Sequence, residues 1–213
     1  MRILDLFCGA GGASMGYHRA WPDAEIVGVD SFEQPHYPFD FILGDAIHPT
    51  VAELATEFDL IHASPPCQAH STLRHSPGAR QYRDYIAATR TLLEATDATW
   101  IIENVPGAPL EDPITLCGSM FGLRYDGYEL RRHRLFETNL LPGLPQLECD
   151  HRDPVLGVYG DLSRNRRPST RGVKAGIEDA QRLMGIVWMT PKELVQAIPP
   201  AYTRWIAEQI GQL

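Results

Sequence analysis

The sequence predicts an α/β domain built on a doubly wound, mainly parallel sheet, and three observations predict it. Apolar runs of strand length alternate with segments of helical spacing through the first half of the chain. The first such run ends in a glycine-rich turn, Cys8-Gly-Ala-Gly-Gly12. The polar residues with chemical potential follow apolar runs, at the carboxyl ends of strands, where sheets of this kind bind ligands.

Taken in order, Arg2 to Phe7 is the first strand, and a helix follows from about Ala13 to Ala20. Glu25 to Val29 is the second strand, Phe41 to Leu43 a short third, Leu60 to Ala63 the fourth and Trp100 to Ile102 the fifth. Arg80 to Thr96 has helical spacing, with Tyr85, Ala88, Leu92 and Leu93 on one face. After Thr138 the texture changes. Leu140 to Lys174 is rich in Pro, Gly and Arg and weakly periodic, which predicts an irregular insert. Periodicity returns over Ile177 to Ile186, and a last helix is expected over Tyr202 to Ile210, behind Pro199-Pro200. The chain thus divides into a catalytic and ligand-binding part (1–137), an insert (138–176) and a segment returning to the first part (177–213).

Composition sets bounds on function. The 213 residues suffice for one α/β domain with a small appendage, and 44% hydrophobic content excludes global disorder. No run approaches the roughly 20 apolar residues of a membrane span, so no membrane partner is expected. Cys8, Cys67, Cys117 and Cys149 are widely spaced, which predicts reduced thiols and a cytoplasmic protein. The net charge of -8 speaks against a polyanion partner, but it is unevenly spread. From Arg124 to Lys174 ten Lys or Arg face seven Asp or Glu; the remainder holds nine against twenty. One positive face on an acidic body suits a nucleic acid, although Arg164, Arg166, Arg167 and Arg171 are equally compatible with a solvated loop.

Four motifs carry chemistry. Asp5-Leu-Phe-Cys-Gly-Ala-Gly-Gly12 lets backbone approach a nucleotide-like ligand at a helix N-terminus, and Asp30 stands where an acid typically meets ribose hydroxyls. Ser14 replaces the third glycine of a dinucleotide fingerprint, so this turn leaves the cofactor open. Ser64-Pro-Pro-Cys-Gln68 follows the fourth strand, and its prolines hold Cys67 in one place as a covalent nucleophile requires. Glu103-Asn104-Val105 ends the fifth strand on the same edge. A glutamate beside a cysteine suits protonation of a ring nitrogen while a thiolate attacks nearby. Alternation in Leu130-Arg-Arg-His-Arg134 puts Arg132 and Arg134 on one side of an extended segment, ready for forked bonds to phosphate or a carbonyl.

These motifs, in this order and together with Asp45 and Gln196-Ala-Ile-Pro-Pro-Ala-Tyr202, resemble the cytosine carbon-5 DNA methyltransferases, and most nearly their compact, phage-like members. The resemblance implies a Rossmann-like class I methyltransferase fold with a small irregular target-recognition insert. It implies S-adenosyl-L-methionine as cofactor, S-adenosyl-L-homocysteine as product, and DNA as partner, in a solitary or a restriction-modification setting. By it, Cys67 attacks carbon 6 of a flipped-out cytosine, Glu103 meets ring nitrogen 3, and Arg132 and Arg134 complete the catalytic group. Asp5, Phe7, Gly9, Gly11, Gly12, Asp30, Asp45 and Pro65 would hold the cofactor. Gln68, Ser71, Asn104, Arg164, Arg166, Arg167 and Arg171 would hold the substrate. The sequence departs from the family pattern at Leu130, where glutamine is usual, at Gln196-Ala197, where Gly-Asn is usual, and in the shortness of the insert. So short a reader predicts a target of two or three bases, or a homodimer or partner protein that completes recognition. RNA methylation by the same chemistry and a catalytically silent DNA-binding relative are the alternatives. Cys149 and His151 offer two metal ligands, fewer than a closed site needs, so no metal is assigned.

Overall fold

In a computed structural model, the structure describes residues 1–67, 83–140, 143–169 and 172–211. Its centre is a seven-stranded sheet. Strands β1 (Arg2–Leu6), β2 (Glu25–Asp30), β3 (Asp40–Leu43), β4 (Leu60–Ala63) and β5 (Thr99–Asn104) run parallel; β6 (Ile114–Leu116) follows a loop. Beyond a two-stranded ribbon, β7 (Arg124–Tyr125) with β8 (Tyr128–Glu129), the strand β9 (Arg134–Thr138) enters the sheet antiparallel between β5 and β6. The spatial order β3-β2-β1-β4-β5-β9-β6 reverses direction between β1 and β4. The crevice outside that switch point is where a doubly wound sheet places its ligand.

Alternating side chains cover both faces of the sheet. Leu4, Leu6, Val29, Ile61 and Ile102 pack beneath helices α2 (Pro49–Ala55) and α3 (Ile86–Glu94). Ile3, Ile26, Leu60, Ile101 and Phe136 pack beneath α1 (Gly12–Ala20) and α6 (Pro200–Ile210). Along the chain between β9 and α6 lie β10 (Leu156–Gly157), β11 (Arg167–Ser169), β12 (Gly172–Lys174), α4 (Ile177–Met184) and the short α5 (Pro191–Leu194). No helix among the described residues is long and apolar enough to cross a membrane.

Several elements differ from expectation. Helix α3 is shorter than Arg80 to Thr96: Asp84 Oδ1 accepts the Ile86 amide at 2.9 Å and fixes its start, while residues 80–82 lie outside the described residues. The insert is not wholly irregular, since β10, β11 and β12 form a three-stranded sheet. Strands of two or three residues are too short to show a period. Leu156, Val158 and Ala175 of the insert share a core with Leu130, Leu183, Met184 and Leu194, so it is joined to both flanking segments. Helix α6 starts at Pro200, in the first turn where a missing amide costs nothing.

Candidate active site

The glycine-rich turn begins with a reversal at Phe7, whose φ of 58° is one that non-glycine residues rarely adopt. Gly9 (φ 49°) has open space where a side chain would project, so a ligand can approach its backbone. Its amide donates to Asp30 Oδ2 at 3.0 Å, and the Phe32 amide donates to Oδ1 at 3.0 Å. Each carboxylate oxygen of Asp30 keeps a second lone pair, enough for a diol. Asp45 is exposed after β3, and its Oδ1 accepts the Ile47 amide at 3.2 Å. Exposed Phe32, which sequence reasoning passed over, stands beside Asp30 and offers a flat apolar surface; its position two residues after the strand acid is the signal that could have found it.

Three of the expected cofactor residues support the turn instead. Asp5 is 1% exposed and its carboxylate is bound to the Ser14 hydroxyl, so it anchors the start of α1 and cannot reach a ligand directly. Burial pushes its carboxyl up to about 7. A side chain at Gly12 would meet the carbonyl of Ile198 at 2.5 Å, so this glycine permits close packing of the C-terminal segment. At Gly11 a side chain would meet Tyr37 and Pro38, which close that side of the turn.

Cys67 lies just beyond β4 and Glu103 within β5, the neighbouring strand. Pro65, two residues before Cys67, is buried, and its carbonyl accepts a bond from Asn104 Nδ2 at 2.9 Å. The Val105 amide donates to Asn104 Oδ1 at 2.9 Å. Asn104 is therefore committed to the backbone on both ends of its amide; it holds the cysteine turn and is not a substrate contact. Gln68 and Ser71 lie outside the described residues.

The antiparallel pairing of β9 with β5 brings Arg134 to Glu103, with Nε 2.9 Å from Oε1. That oxygen has no hydrogen bond, because the N–H does not point along the contact, so the ion pair leaves it an acceptor to spare. Burial pushes the Glu103 carboxyl up, and Arg134, a bond from the Ser64 hydroxyl and Arg132 oppose the shift. The Cys67 thiol is likewise pushed up by burial and by the negative charge of Glu103, while Arg134 and Arg132 pull it down. The charges of Glu103 and of the two arginines thus act on the thiol in opposite directions.

Arg132 departs from expectation. Its guanidinium donates to the carbonyls of Val158 at 3.1 Å and Val195 at 2.7 Å, and the Tyr202 hydroxyl donates to its carbonyl at 2.6 Å. It fastens the strand to the insert and the C-terminal segment, a geometry that carbonyls of two distant segments impose and alternation could not reveal. Burial and the neighbouring Arg134 pull its guanidinium down to about 9.

Behind Glu103 runs a buried polar row that the sequence reading missed. Tyr17 Oη lies 2.9 Å from His62 Nδ1, and His62 Nε2 lies 3.0 Å from Ser64 Oγ. If the Ser64 hydroxyl donates to Glu103, it accepts from His62 Nε2–H, and His62 Nδ1 then accepts from Tyr17. Burial holds His62 neutral, with its pKa pulled down to about 3. A histidine inside an otherwise apolar strand was the available signal.

A cleft of about 410 Å³ opens between this site and the insert, lined by Val105, Arg132, Arg134, Val158 and Tyr159. Of the insert arginines, Arg166 is not free for phosphate. It makes a forked pair with Asp179 (2.9 and 2.8 Å), reaches Asp126 at 2.7 Å and lies over the Tyr128 ring. Arg164 is exposed, Arg167 is exposed with one bond to the Asp161 carbonyl, and Arg171 lies outside the described residues. Where the sequence offered only Cys149 and His151 as candidate metal ligands, folding brings Cys117 and His133 beside them.

Residues 1–112 match the family model for C-5 cytosine-specific DNA methylase. Among curated proteins none matches. Among solved structures the chain is similar to the Entamoeba histolytica methyltransferase EhMeth, at 11% identity and a TM-score of 0.62 over 100% of this chain and 98% of that one. This likeness shows the fold. Weaker similarity extends to the plantazolicin methyltransferase BamL (18% identity, TM-score 0.35, 49% of this chain and 38% of that one).

Proposed function

The chain belongs to the C-5 cytosine-specific DNA methylase family, and on that premise we propose that it transfers a methyl group from S-adenosylmethionine to carbon 5 of a cytosine in DNA. The observation that carries this reading is the placement of Cys67 and the Glu103–Arg134 pair at adjacent strand ends, where the charges of the pair act on the thiol. The open backbone at Gly9 and the two spare lone pairs of Asp30 fit the cofactor's amino-acid and ribose ends, and Phe32 and Asp45 suit its base. Bound S-adenosylmethionine supplies an electrophilic methyl on a sulfonium.

In this mechanism the Cys67 thiolate forms a bond to carbon 6 of the cytosine. Glu103 in its protonated form, which its raised pKa favours, donates its proton to ring nitrogen 3 as that nitrogen takes up the electron density pushed onto the ring, and recovers the proton when the adduct collapses. Carbon 5 becomes nucleophilic and accepts the methyl. A base removes the carbon-5 proton, the carbon 5–carbon 6 double bond re-forms, and Cys67 leaves as thiolate. Arg134 holds Glu103 and offers its remaining N–H groups to the 2-oxo oxygen or a phosphate. Cytosine in a duplex is out of reach of this buried group unless it is flipped out, and the cleft beside Arg134 suits an extruded base. Arg164 and Arg167 supply phosphate contacts; with Arg166 committed, the described residues of the insert leave few side chains for base edges, which favours a short target or a reader completed by a second copy.

Incubation with labelled S-adenosylmethionine and separate DNA, RNA and free nucleotides tests the reading. Label is expected at carbon 5 of DNA cytosine, and 5-fluorocytosine DNA should form a stable adduct on the Cys67 peptide. Label in RNA alone, or in no substrate, would overturn it.

A further inference from the structure

Beside the cytosine site, four side chains converge on one point. Cys117 directly follows β6, His133 stands between the two arginines just before β9, and Cys149 and His151 come from the loop leading to β10. Their ligand atoms all lie within 4.8 Å of one another. Cys117 Sγ is 3.5 Å from His151 Nε2, and Cys149 Sγ is 3.4 Å from His133 Nε2. A tetrahedral zinc ion, with Zn–S about 2.3 Å and Zn–N about 2.0–2.1 Å, sets neighbouring sulfur and nitrogen ligands about 3.6 Å apart. The two imidazole rings cross at 87°, so both Nε2 atoms face the sulfurs without stacking.

The surroundings are built to hold this arrangement. The Ser119 hydroxyl donates to Cys117 Sγ at 3.4 Å and accepts the Asp150 amide at 3.3 Å, an outer bond of the kind that orients a metal ligand. Arg124 Nη2 donates to the Asp150 carbonyl at 3.2 Å, and Arg131 Nη2 to the Asp153 carbonyl at 2.8 Å, so the loop is fastened on both sides of His151. We propose that Cys117, His133, Cys149 and His151 bind one zinc ion in a closed, four-coordinate structural site. Two thiols and two imidazoles fill all four positions and leave none for substrate, so the ion is structural. Both thiols release their protons to solvent on binding. Because His133 separates Arg132 from Arg134, the ion fixes the segment that presents Arg134 to Glu103 and ties it to the insert.

The test uses the untagged full chain, produced with zinc in the medium and dialysed. Elemental analysis should find about one zinc per chain, and the folded Cys149→Ser/His151→Ala variant should retain less than a tenth of it. Cobalt added to wild-type protein after chelation should give the intense visible bands of tetrahedral cobalt with thiolate charge transfer in the near ultraviolet. That spectrum requires no variant, so it decides even if the double variant fails to fold. Wild-type protein that holds no zinc and gives no such spectrum, whether its thiols are free or Cys117 and Cys149 are joined as a disulfide, overturns the proposal. So does a folded double variant with full zinc content.

Discussion

Asn104 donates a 2.9 Å hydrogen bond to the carbonyl of Pro65, so the strand that carries Glu103 also holds the turn that carries Cys67. The two groups proposed to act on opposite sides of one ring are thereby fixed to a common support. Asn104→Ala leaves the Pro65 carbonyl and the Val105 amide without partners, at about 1–3 kcal/mol each. We expect a lower Tm, methyl transfer slowed by about 100-fold through misplacement of Cys67, and S-adenosylmethionine affinity unchanged by calorimetry. Unaltered turnover in a destabilised Asn104→Ala protein would show that the link serves folding alone.

The charges around Cys67 predict opposite shifts from two substitutions. Glu103→Gln removes the negative charge that raises the thiol pKa, so alkylation of Cys67 should set in at lower pH. Arg134→Ala removes a positive charge that lowers it, so alkylation should require higher pH. Mass spectrometry of the Cys67 peptide across pH separates the two. Methyl transfer should fall in both, by roughly 10²–10⁴-fold for Glu103→Gln.

His62 makes the protein acid-sensitive. Its folded pKa, about 3, lies below the unfolded value near 6.5, so the unfolded chain takes up a proton first as pH falls. The stability this group contributes is present above about pH 6.5 and is lost as pH falls toward 3, amounting to about 2 kcal/mol between pH 7 and 5. Urea unfolding should show a smaller pH 7 to pH 5 loss in His62→Gln than in wild type. Equal losses would mean that His62 is accessible to protons in the folded state.

The insert arginines should divide into two classes. Arg164→Ala/Arg167→Ala should weaken DNA binding on all sequences alike and flatten the dependence of log affinity on log salt by up to about two units, with Tm unchanged. Arg166→Ala should instead lower Tm, by the equivalent of about 1 kcal/mol for a partly exposed forked pair, and leave the salt slope intact. A salt slope that drops in Arg166→Ala would return that residue to the DNA surface.

The parallel half of the fold was legible because β1, β2, β4 and β5 are apolar runs of four to six residues closed by turns or polar ends. Cys67 and Glu103 were legible because they follow or end two of these runs. What escaped depends on contacts between distant segments. Nothing local in Arg132 distinguishes a side chain bound to the carbonyls of Val158 and Val195 from one that faces substrate. Arg166 gave the same signal as Arg164 until α4 supplied Asp179. Of the Cys/His cluster only Cys149 and His151 stood out, because Cys117 and His133 lie up to 34 residues before His151, and only the return of β9 beside β6 brings them in.

The turn that opens the chain is finished by residues near its far end. Thr203 Oγ1 donates to the Ala13 carbonyl at 2.8 Å across 190 residues, Trp188 Nε1 donates to that of Ala10 at 2.9 Å, and Gly12 lies against the Ile198 backbone. On the ribosome, then, the ligand turn is made about 190 residues before the helix that covers it and stays unroofed until α6 has cleared the exit tunnel. A chain stalled or cleaved before Pro199 is left with its glycine turn and the inner face of α1 bare.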